Sequence, residues 1–392
     1  MNTRERKALG GIFFLYGICV IAWVPRFPEL KQNLHLTNGQ FGTILSLGWL
    51  GSIAGLLTVG HLVHRFGSRK MITGSSALMC VNMALIVHLT SHWQFLLCNI
   101  LLSAGMVSMH ISLTGQALHE QEHTKENIIP RMHGMWASGA LTSAVLSGFL
   151  VSRVGLALHI DILVAIALIV ILLLVKIMAP TLLVGDETAG DNYSLKDLFT
   201  RFKVDWLMSL GLTGATILEF SAGDWATIYS KENLHMSPGV SAIPYILFMF
   251  ALIVGRLTVH RVVKHIDIGT LIKWSVIIGG AIFIVCLNVG LVVSKTSPTA
   301  GFVIFAFGTF IGGLGGSYLA PTIMNSANRR SSSPGPVVLG QIGLVQGALT
   351  LILKFVIAWI AQFAGIHIAF LLPAIMLMCV AFTARAVSKA TR

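Results

Sequence analysis

Long apolar runs, parted by short polar breaks, recur along the whole chain. Twelve of them approach or exceed 18 residues: roughly 8–28, 41–62, 71–90, 94–117, 134–152, 157–179, 206–228, 240–262, 271–293, 300–323, 337–362 and 366–384. A hydrocarbon layer about 30 Å thick needs about 20 helical residues at 1.5 Å each, so each run predicts one spanning helix. Strands of a membrane barrel would be shorter and would alternate in polarity. A helix satisfies its own backbone groups where no water is present. The pattern predicts an all-α membrane protein of twelve transmembrane helices.

Composition supports that class and removes others. Hydrophobic residues make up 55% of the chain, charged residues 11%, and the mean hydropathy is +0.81. An ordinary soluble domain carries about 25% charged residues. A soluble enzyme, a nucleic-acid-binding domain and a disordered chain are excluded. The net charge of +12 therefore reports topology rather than a nucleic-acid partner. Twelve spans place both termini on one side. With that side cytoplasmic, every Lys and Arg falls inside except Arg26, Lys31, Arg153, Lys231, Lys295 and the intramembrane Lys354. Positive residues accumulate on the cytoplasmic side, which predicts a multi-pass membrane protein with both ends in the cytoplasm. Arg4, Arg6 and Lys7 precede the first run, as in a signal peptide. No small-residue cleavage site follows, so the run reads as an uncleaved first span. Cys19, Cys80, Cys98, Cys286 and Cys379 sit in apolar runs without a CxxC and read as packing residues.

The longest hydrophilic gap, about 180–205, divides the spans six and six. The domains predicted are 1–180, a linker at 181–205, and 206–392. An internal repeat accompanies the division. Asn33-Leu34-His35-Leu36-Thr37-Asn38-Gly39 follows span one, and Asn233-Leu234-His235-Met236-Ser237-Pro238-Gly239 follows span seven. At the same offset Gly55 meets Gly255, and His64-Arg65 meets Lys264-His265. Parallel repeats about an axis along the membrane normal are a transporter architecture, with the solute site between the halves.

Gly60-His61-Leu62-Val63-His64-Arg65-Phe66-Gly67-Ser68-Arg69-Lys70 joins spans two and three. It resembles the signature loop Gly-x-x-x-Asp-Arg-x-Gly-Arg-Arg of the major facilitator superfamily. Gly60, His64, Arg65, Gly67 and Arg69 occupy its positions as a cytoplasmic gate motif. Twelve spans and a linker after the sixth extend the resemblance over essentially the whole chain. Trp23-Val24-Pro25-Arg26-Phe27-Pro28, Met132-His133-Gly134 and Glu219-Phe220-Ser221-Ala222-Gly223-Asp224-Trp225 are similar to a poorly characterised bacterial inner-membrane branch distantly akin to fucose permeases. The resemblance implies two pseudo-symmetric six-helix halves and alternating access. It implies a cavity lined by helices one, four, seven and ten. His64 and Ser68 stand where the family has an acidic and a basic residue, so the gate carboxylate is missing. Span five lacks the Gly-Pro pair of many drug/proton antiporters.

An ionisable group inside a span marks a functional site by default. Glu219 and Asp224 are the carboxylates well inside a run. They lie five residues apart, about 140° around a helix, which predicts separate partners and makes both proton-coupling candidates. Arg26 and Lys354 are the candidate cations. Arg26 either snorkels to the interface or offers a planar fork to a substrate. His110, mid-span in helix four, is a candidate ligand for substrate or a proton relay. Trp23 and Trp225 close spans one and seven, as sugar-stacking faces or interfacial anchors. The substrate-binding set is therefore Trp23, Arg26, His110, Asp224, Trp225 and Lys354.

Gly308, Gly312 and Gly316 in span ten permit close helix approach. His119-Glu120-Gln121-Glu122-His123 spells the HExxH of zinc proteases. It falls at the cytoplasmic end of span four, with no third ligand identified, and reads as a charged loop. No ATP-binding loop is visible. The expectation is a monomeric, non-enzymatic secondary transporter in a lipid bilayer, without cofactor, metal or nucleic acid. Its partners are a small polar solute, a sugar or organic acid, and protons. Export of amphipathic drugs or metabolites and a non-transporting sensor are the alternatives.

Overall fold

A computed structural model of the chain describes residues 3–124, 128–178, 204–331 and 335–391. The linker expected at 181–205 lies outside these residues apart from Val204 and Asp205. So do Lys125, Lys196, Arg201, Lys203 and Arg392, and so do the side chains of His64, Glu122 and His123.

Twelve spans are present, six before the linker and six after. They are Thr3–Ile21 with Phe27–Asn33, Asn38–Phe66, Ser68–Ile86, His92–Thr124, Ile129–Leu150, Leu156–Ile177, Trp206–Glu232, Ile243–Val262, Ile268–Ser294, Pro298–Gly316 with Leu319–Arg330, Gly335–Phe363, and Ile366–Cys379 with Ala384–Thr391. Nine helical stretches among the described residues meet the length and apolarity needed to cross a membrane. Spans three, five and seven are long enough and fall short on apolarity, because Arg69, Lys70, Asn82, the Ser and Gly of span five, and Glu219 and Asp224 dilute them.

Three spans are interrupted; in span twelve a 3-10 turn at Val380–Thr383 parts Ile366–Cys379 from Ala384–Thr391. Span one stops at Ile21, passes through a single 3-10 turn at Val24–Arg26, and resumes at Phe27. Pro25 and Pro28 cannot donate backbone hydrogen bonds and stand in the first turns of these short helices, where the donor is not needed. Span ten breaks at Ser317 and Tyr318.

The chain divides into two compact units. The first is Met1–Leu36 with Leu47–Asn192, the second Thr37–Ser46 with Tyr193–Arg392. The first turns of span two thus group with the second unit. The Gly39 N–H donates to Gln362 Oε1 at 3.0 Å, and Gly42 leaves room for Ala358 and Trp225. Within the first unit span one packs on five and six, and span three on four and six. Within the second, span seven packs on eleven and twelve, and span nine on ten and twelve. The pairing repeats with an offset of six spans.

Small residues permit these approaches. A Cβ at Gly17 would run into the Trp136 carbonyl oxygen, and one at Gly139 into that of Phe14. Spans one and five therefore touch backbone to backbone. Gly308 lets spans nine and ten approach closely, since a Cβ there would meet the Cys286 side chain at 2.5 Å. Several buried hydroxyls fold back onto carbonyls of their own helices, as Ser46 to Gly42, Thr213 to Ser209 and Ser230 to Ala226, which satisfies those donors without water.

The outward faces confirm the solvent. Leu158, Ile162, Ile166, Ile169, Leu173 and Ile177 are exposed along span six, while Ile160, Val164, Ile171 and Val175 are buried. Steps of three and four keep the exposed set on one stripe. Such a stripe would drive aggregation in water and is the natural contact for acyl chains.

Candidate functional site

Span seven carries the chemistry of the second unit. Its helix starts at the N-cap Asp205, whose side chain accepts from Met208 N and pairs with Arg330 Nε at 3.0 Å. Along it stand Thr216, Glu219, Gly223 and Asp224. Thr216 Oγ1 accepts from Gln346 Nε2 at 2.9 Å. Asp224 Oδ2 pairs with Lys354 Nζ at 2.9 Å, with 13% and 11% of the two side chains exposed. Glu219 Oε2 lies 3.5 Å from Arg256 Nη2, with 26% and 37% exposed. The two carboxylates thus have separate partners. Tyr245 is buried against Gly223, within electrostatic reach of both acids. Lys354 also lies 6.0 Å from the Phe220 ring centroid.

Arg256, counted among the cytoplasmic cations, stands within span eight, Ile243–Val262. Its Nε donates to the Ser317 carbonyl at 2.9 Å. That carbonyl belongs to the break in span ten, so one guanidinium ties the break to Glu219. A Cβ at Gly255 would collide with Ser317 Oγ, which is why Arg256 follows a glycine.

Arg26 also departs from both readings offered for it. It is 0% exposed, so it does not snorkel. Its Nε pairs with Glu29, its Nη2 donates to the Val154 carbonyl at 2.7 Å, and its Nη1 lies 3.3 Å from His159 Nδ1. The fork is occupied by protein and clamps the end of span one to the start of span six. Trp23 and Trp225 are packing residues rather than interfacial anchors. Trp23 meets Phe27 edge to face at 5.0 Å, and Trp225 is buried against the Gly42 position.

His110 is exposed and belongs to an aromatic cluster of the first unit. Its ring centroid lies 6.1 Å from Tyr16 and 5.7 Å from His133, and His133 lies 5.9 Å from Phe13. Tyr16 donates to the Met106 carbonyl at 3.0 Å. The Nε1 of Trp136, one turn beyond His133, is buried without a hydrogen-bond partner. The sequence pointed to His110 as a candidate ligand and to His133 only as part of a resemblance. His133 stands near the start of a polar span and carries the same intramembrane signal.

The loop between spans two and three is a single residue, Gly67, at φ 84 and ψ 153. Only glycine enters that region at low cost. Ser68, where the signature has a base, is buried and donates to Gln116 Oε1 at 2.5 Å. Arg65 lies over the Phe66 ring at 5.3 Å, Arg69 Nη2 stands 3.5 Å from the Lys176 carbonyl, and Gly60 is exposed with open space beside it. His119 and Glu120 continue the span-four helix, His92–Thr124.

Comparison with known proteins fits this architecture. The family model for the Major Facilitator Superfamily matches residues 9–335. An uncharacterized MFS-type transporter of Yersinia pestis is 25% identical over 381 residues, 96% of this chain and 94% of that protein. Membrane protein MosC of Rhizobium meliloti is 24% identical over 83% of this chain and 80% of its own length. Among solved structures, a point mutant of the nucleoside transporter NupG superimposes with a TM-score of 0.79 at 12% identity, covering 98% and 99% of the two chains. The D-xylose-proton symporter gives 0.66 at 14% identity, covering 97% and 96%. A point mutant of the Escherichia coli fucose:proton symporter FucP gives 0.64 at 16%, covering 97% of each. At these identities the structures establish the fold. With twelve spans in two halves and a family match over most of its length, this chain belongs to the Major Facilitator Superfamily of membrane transporters.

Proposed function

We propose that this transporter moves a small polar solute, a sugar or an organic acid, by alternating access coupled to protons. The observation that carries the reading is the unequal pairing on span seven. Asp224 and Lys354 form a short, nearly dry pair. Glu219 and Arg256 are longer and wetter, and Arg256 keeps a second acceptor in Ser317. A proton on Glu219 removes one charge and leaves Arg256 still bonded. The pair at Glu219 is the one that opens at least cost, and the released guanidinium stays on the break in span ten. Asp224 serves as the second acid of the coupling set. His110, with His133 and Tyr16, supplies hydrogen-bonding groups for a polar solute. The D-xylose and fucose neighbours are named as proton symporters, which agrees with this coupling.

The reading extends to a monomer in a bacterial inner membrane, with both termini placed in the cytoplasm on the positive-residue count. Export is the second reading. A stretch of 152 residues, 38% of this chain, is 28% identical to the Enterobactin exporter EntS of Salmonella typhi.

Proteoliposomes loaded with a pH dye test the proposal, with sugars, organic acids and amphipathic cations added in turn. One solute should acidify the lumen. Glu219→Gln should abolish uphill accumulation of that solute and retain its counterflow exchange. Full uphill transport by that variant removes Glu219 from the mechanism. Alkalinisation by an amphipathic cation favours export by antiport.

A further inference from the structure

The protein leaves most of the Arg256 guanidinium unused. Such a group offers five N–H donors. Its Nε donates to the Ser317 carbonyl at 2.9 Å. Its Nη2 faces Glu219 Oε2 at 3.5 Å, beyond the ~2.7–3.2 Å of an N–H···O bond. Among the described residues no other hydrogen bond or ion pair engages Arg256 or Glu219. Glu219 is the middle residue of Trp206–Glu232, so the pair stands deep in the membrane, yet more than a third of the Arg256 side chain is exposed. A cation at that depth faces a polar space rather than acyl chains. Its two Nη groups have the spacing that grips a carboxylate in two parallel bonds. Neither other intramembrane cation has this freedom: Arg26 is saturated, and Lys354 is paired at 2.9 Å.

Glu219 competes for the same fork. Two carboxylates on one guanidinium repel, which disfavours both being ionised. A proton on Glu219 relieves the repulsion and leaves Arg256 as a net cation. An uncharged solute would leave that charge uncompensated where it is costly, whereas a carboxylate restores neutrality. The other titratable groups around the pair do not supply that charge. Asp224 on span seven and Lys354 on span eleven cancel each other. Tyr245 on span eight lies within reach of both acids. Pro298–Gly316 of span ten carries no ionisable side chain, Tyr318 is bonded to Ser275 at 2.7 Å, and Arg330 pairs with Asp205. Span twelve places His367 and Cys379 at the two ends of Ile366–Cys379.

Resting on the reading of Glu219 as the proton carrier, we infer that Arg256 binds the carboxylate of the solute, which enters the fork in exchange for Glu219 as Glu219 takes a proton. One proton and one monocarboxylate then cross together without net charge. Release reverses the exchange: Glu219 loses its proton, returns to Arg256 and displaces the acid. The cargo is an organic acid rather than a sugar.

Equilibrium binding to the purified full-length protein in neutral detergent tests the site without a gradient. The probes are acetate, L-lactate, D-gluconate and benzoate, each against its neutral amide, with D-xylose as an uncharged sugar. The range is about pH 6 to 8, where carboxylic acids of this kind stay ionised. At least one acid should bind while its amide does not. Proton and anion favour each other, so its affinity should rise with acidification, by about tenfold per pH unit for one linked proton while Glu219 is ionised. Glu219→Gln, which mimics the protonated acid, should bind the same carboxylate at least as tightly and without pH dependence. Arg256→Gln should lose binding, and Arg256→Lys, which keeps the charge without the fork, should weaken it about tenfold; unchanged thermal unfolding shows that each variant is folded. Full binding by Arg256→Gln, weaker binding by Glu219→Gln, equal binding of an acid and its amide, or no binding of any acid overturns the inference. Acid binding linked to pH, without proton-driven accumulation in proteoliposomes, keeps the site and removes the coupling. Proton-driven uptake of D-xylose with no acid bound keeps the coupling and removes the site.

Discussion

A charge at the centre of a bilayer costs about 2.5–3.5 kcal/mol on insertion scales. The four charges around span seven must therefore compensate one another. Asp224 and Lys354 do so at 2.9 Å with little water. Removing one partner of a buried pair leaves the other uncompensated, at a cost of about 3–5 kcal/mol, whereas removing both is often neutral. Lys354→Met should lower the Tm of the detergent-purified protein sharply. Asp224→Asn together with Lys354→Met should recover most of that loss. If the double variant is as unstable as the single, the pair does not act as a unit. Glu219, Asp224 and Lys354 were legible in the sequence because charges are rare in apolar runs. Arg256 was not, since it lies close to a run's end and reads as one more cytoplasmic cation. Arg26 was legible as a candidate cation at the end of span one but not as a clamp. Its partners Glu29, Val154 and His159 come partly from a helix more than a hundred residues away.

Helices follow from local chemistry, and so do several of their ends. Thr37 and Gln40 form a reciprocal capping box at the start of span two, and Asp267 caps span nine through Gly269 N and Thr270 N. Caps of this kind contribute about 1 kcal/mol each. The repeat seen in sequence extends to the backbone. His35 and His235, 200 positions apart, both adopt positive φ, 49° and 55°. Histidine tolerates that region better than branched residues do. His35 closes its helix with Leu36 N on Lys31 O and its own N–H on Gln32 O, a Schellman arrangement. His235 closes more loosely, with Met236 N reaching Ser230 O. Gly67 is the sharper constraint. Gly67→Ala should cost about 1–3 kcal/mol, read as a lower Tm with the helical circular dichroism retained. Unchanged stability would mean that the one-residue loop relaxes. The break in span ten was not legible, because the apolar run 300–323 crosses Ser317 and Tyr318 without a charged residue and its glycines read as packing.

For the whole molecule, the packing pattern of spans one, three, four, five and six recurs in spans seven, nine, ten, eleven and twelve. On that basis the halves 1–180 and 206–392 are proposed as folding units joined by the linker. The two halves, expressed as separate chains in one cell, should restore solute uptake to a substantial fraction of the intact level. Complete loss, with both halves present in the membrane, counts against that division.

The sequence by itself determined the membrane class, the twelve spans and the two halves, because each rests on local composition or short-range spacing, and the resemblance of its Gly60–Lys70 loop to a known signature pointed to the superfamily. It also marked the rare charges, since their cost in lipid does not depend on the fold. Only the tertiary structure decided which charge meets which, that Arg26 is saturated, that Arg256 bridges Glu219 to span ten, and that His110 stands beside His133 and Tyr16. Those outcomes depend on which helix faces which, and at 3.6 residues per turn hydropathy alone leaves the rotation of each span open.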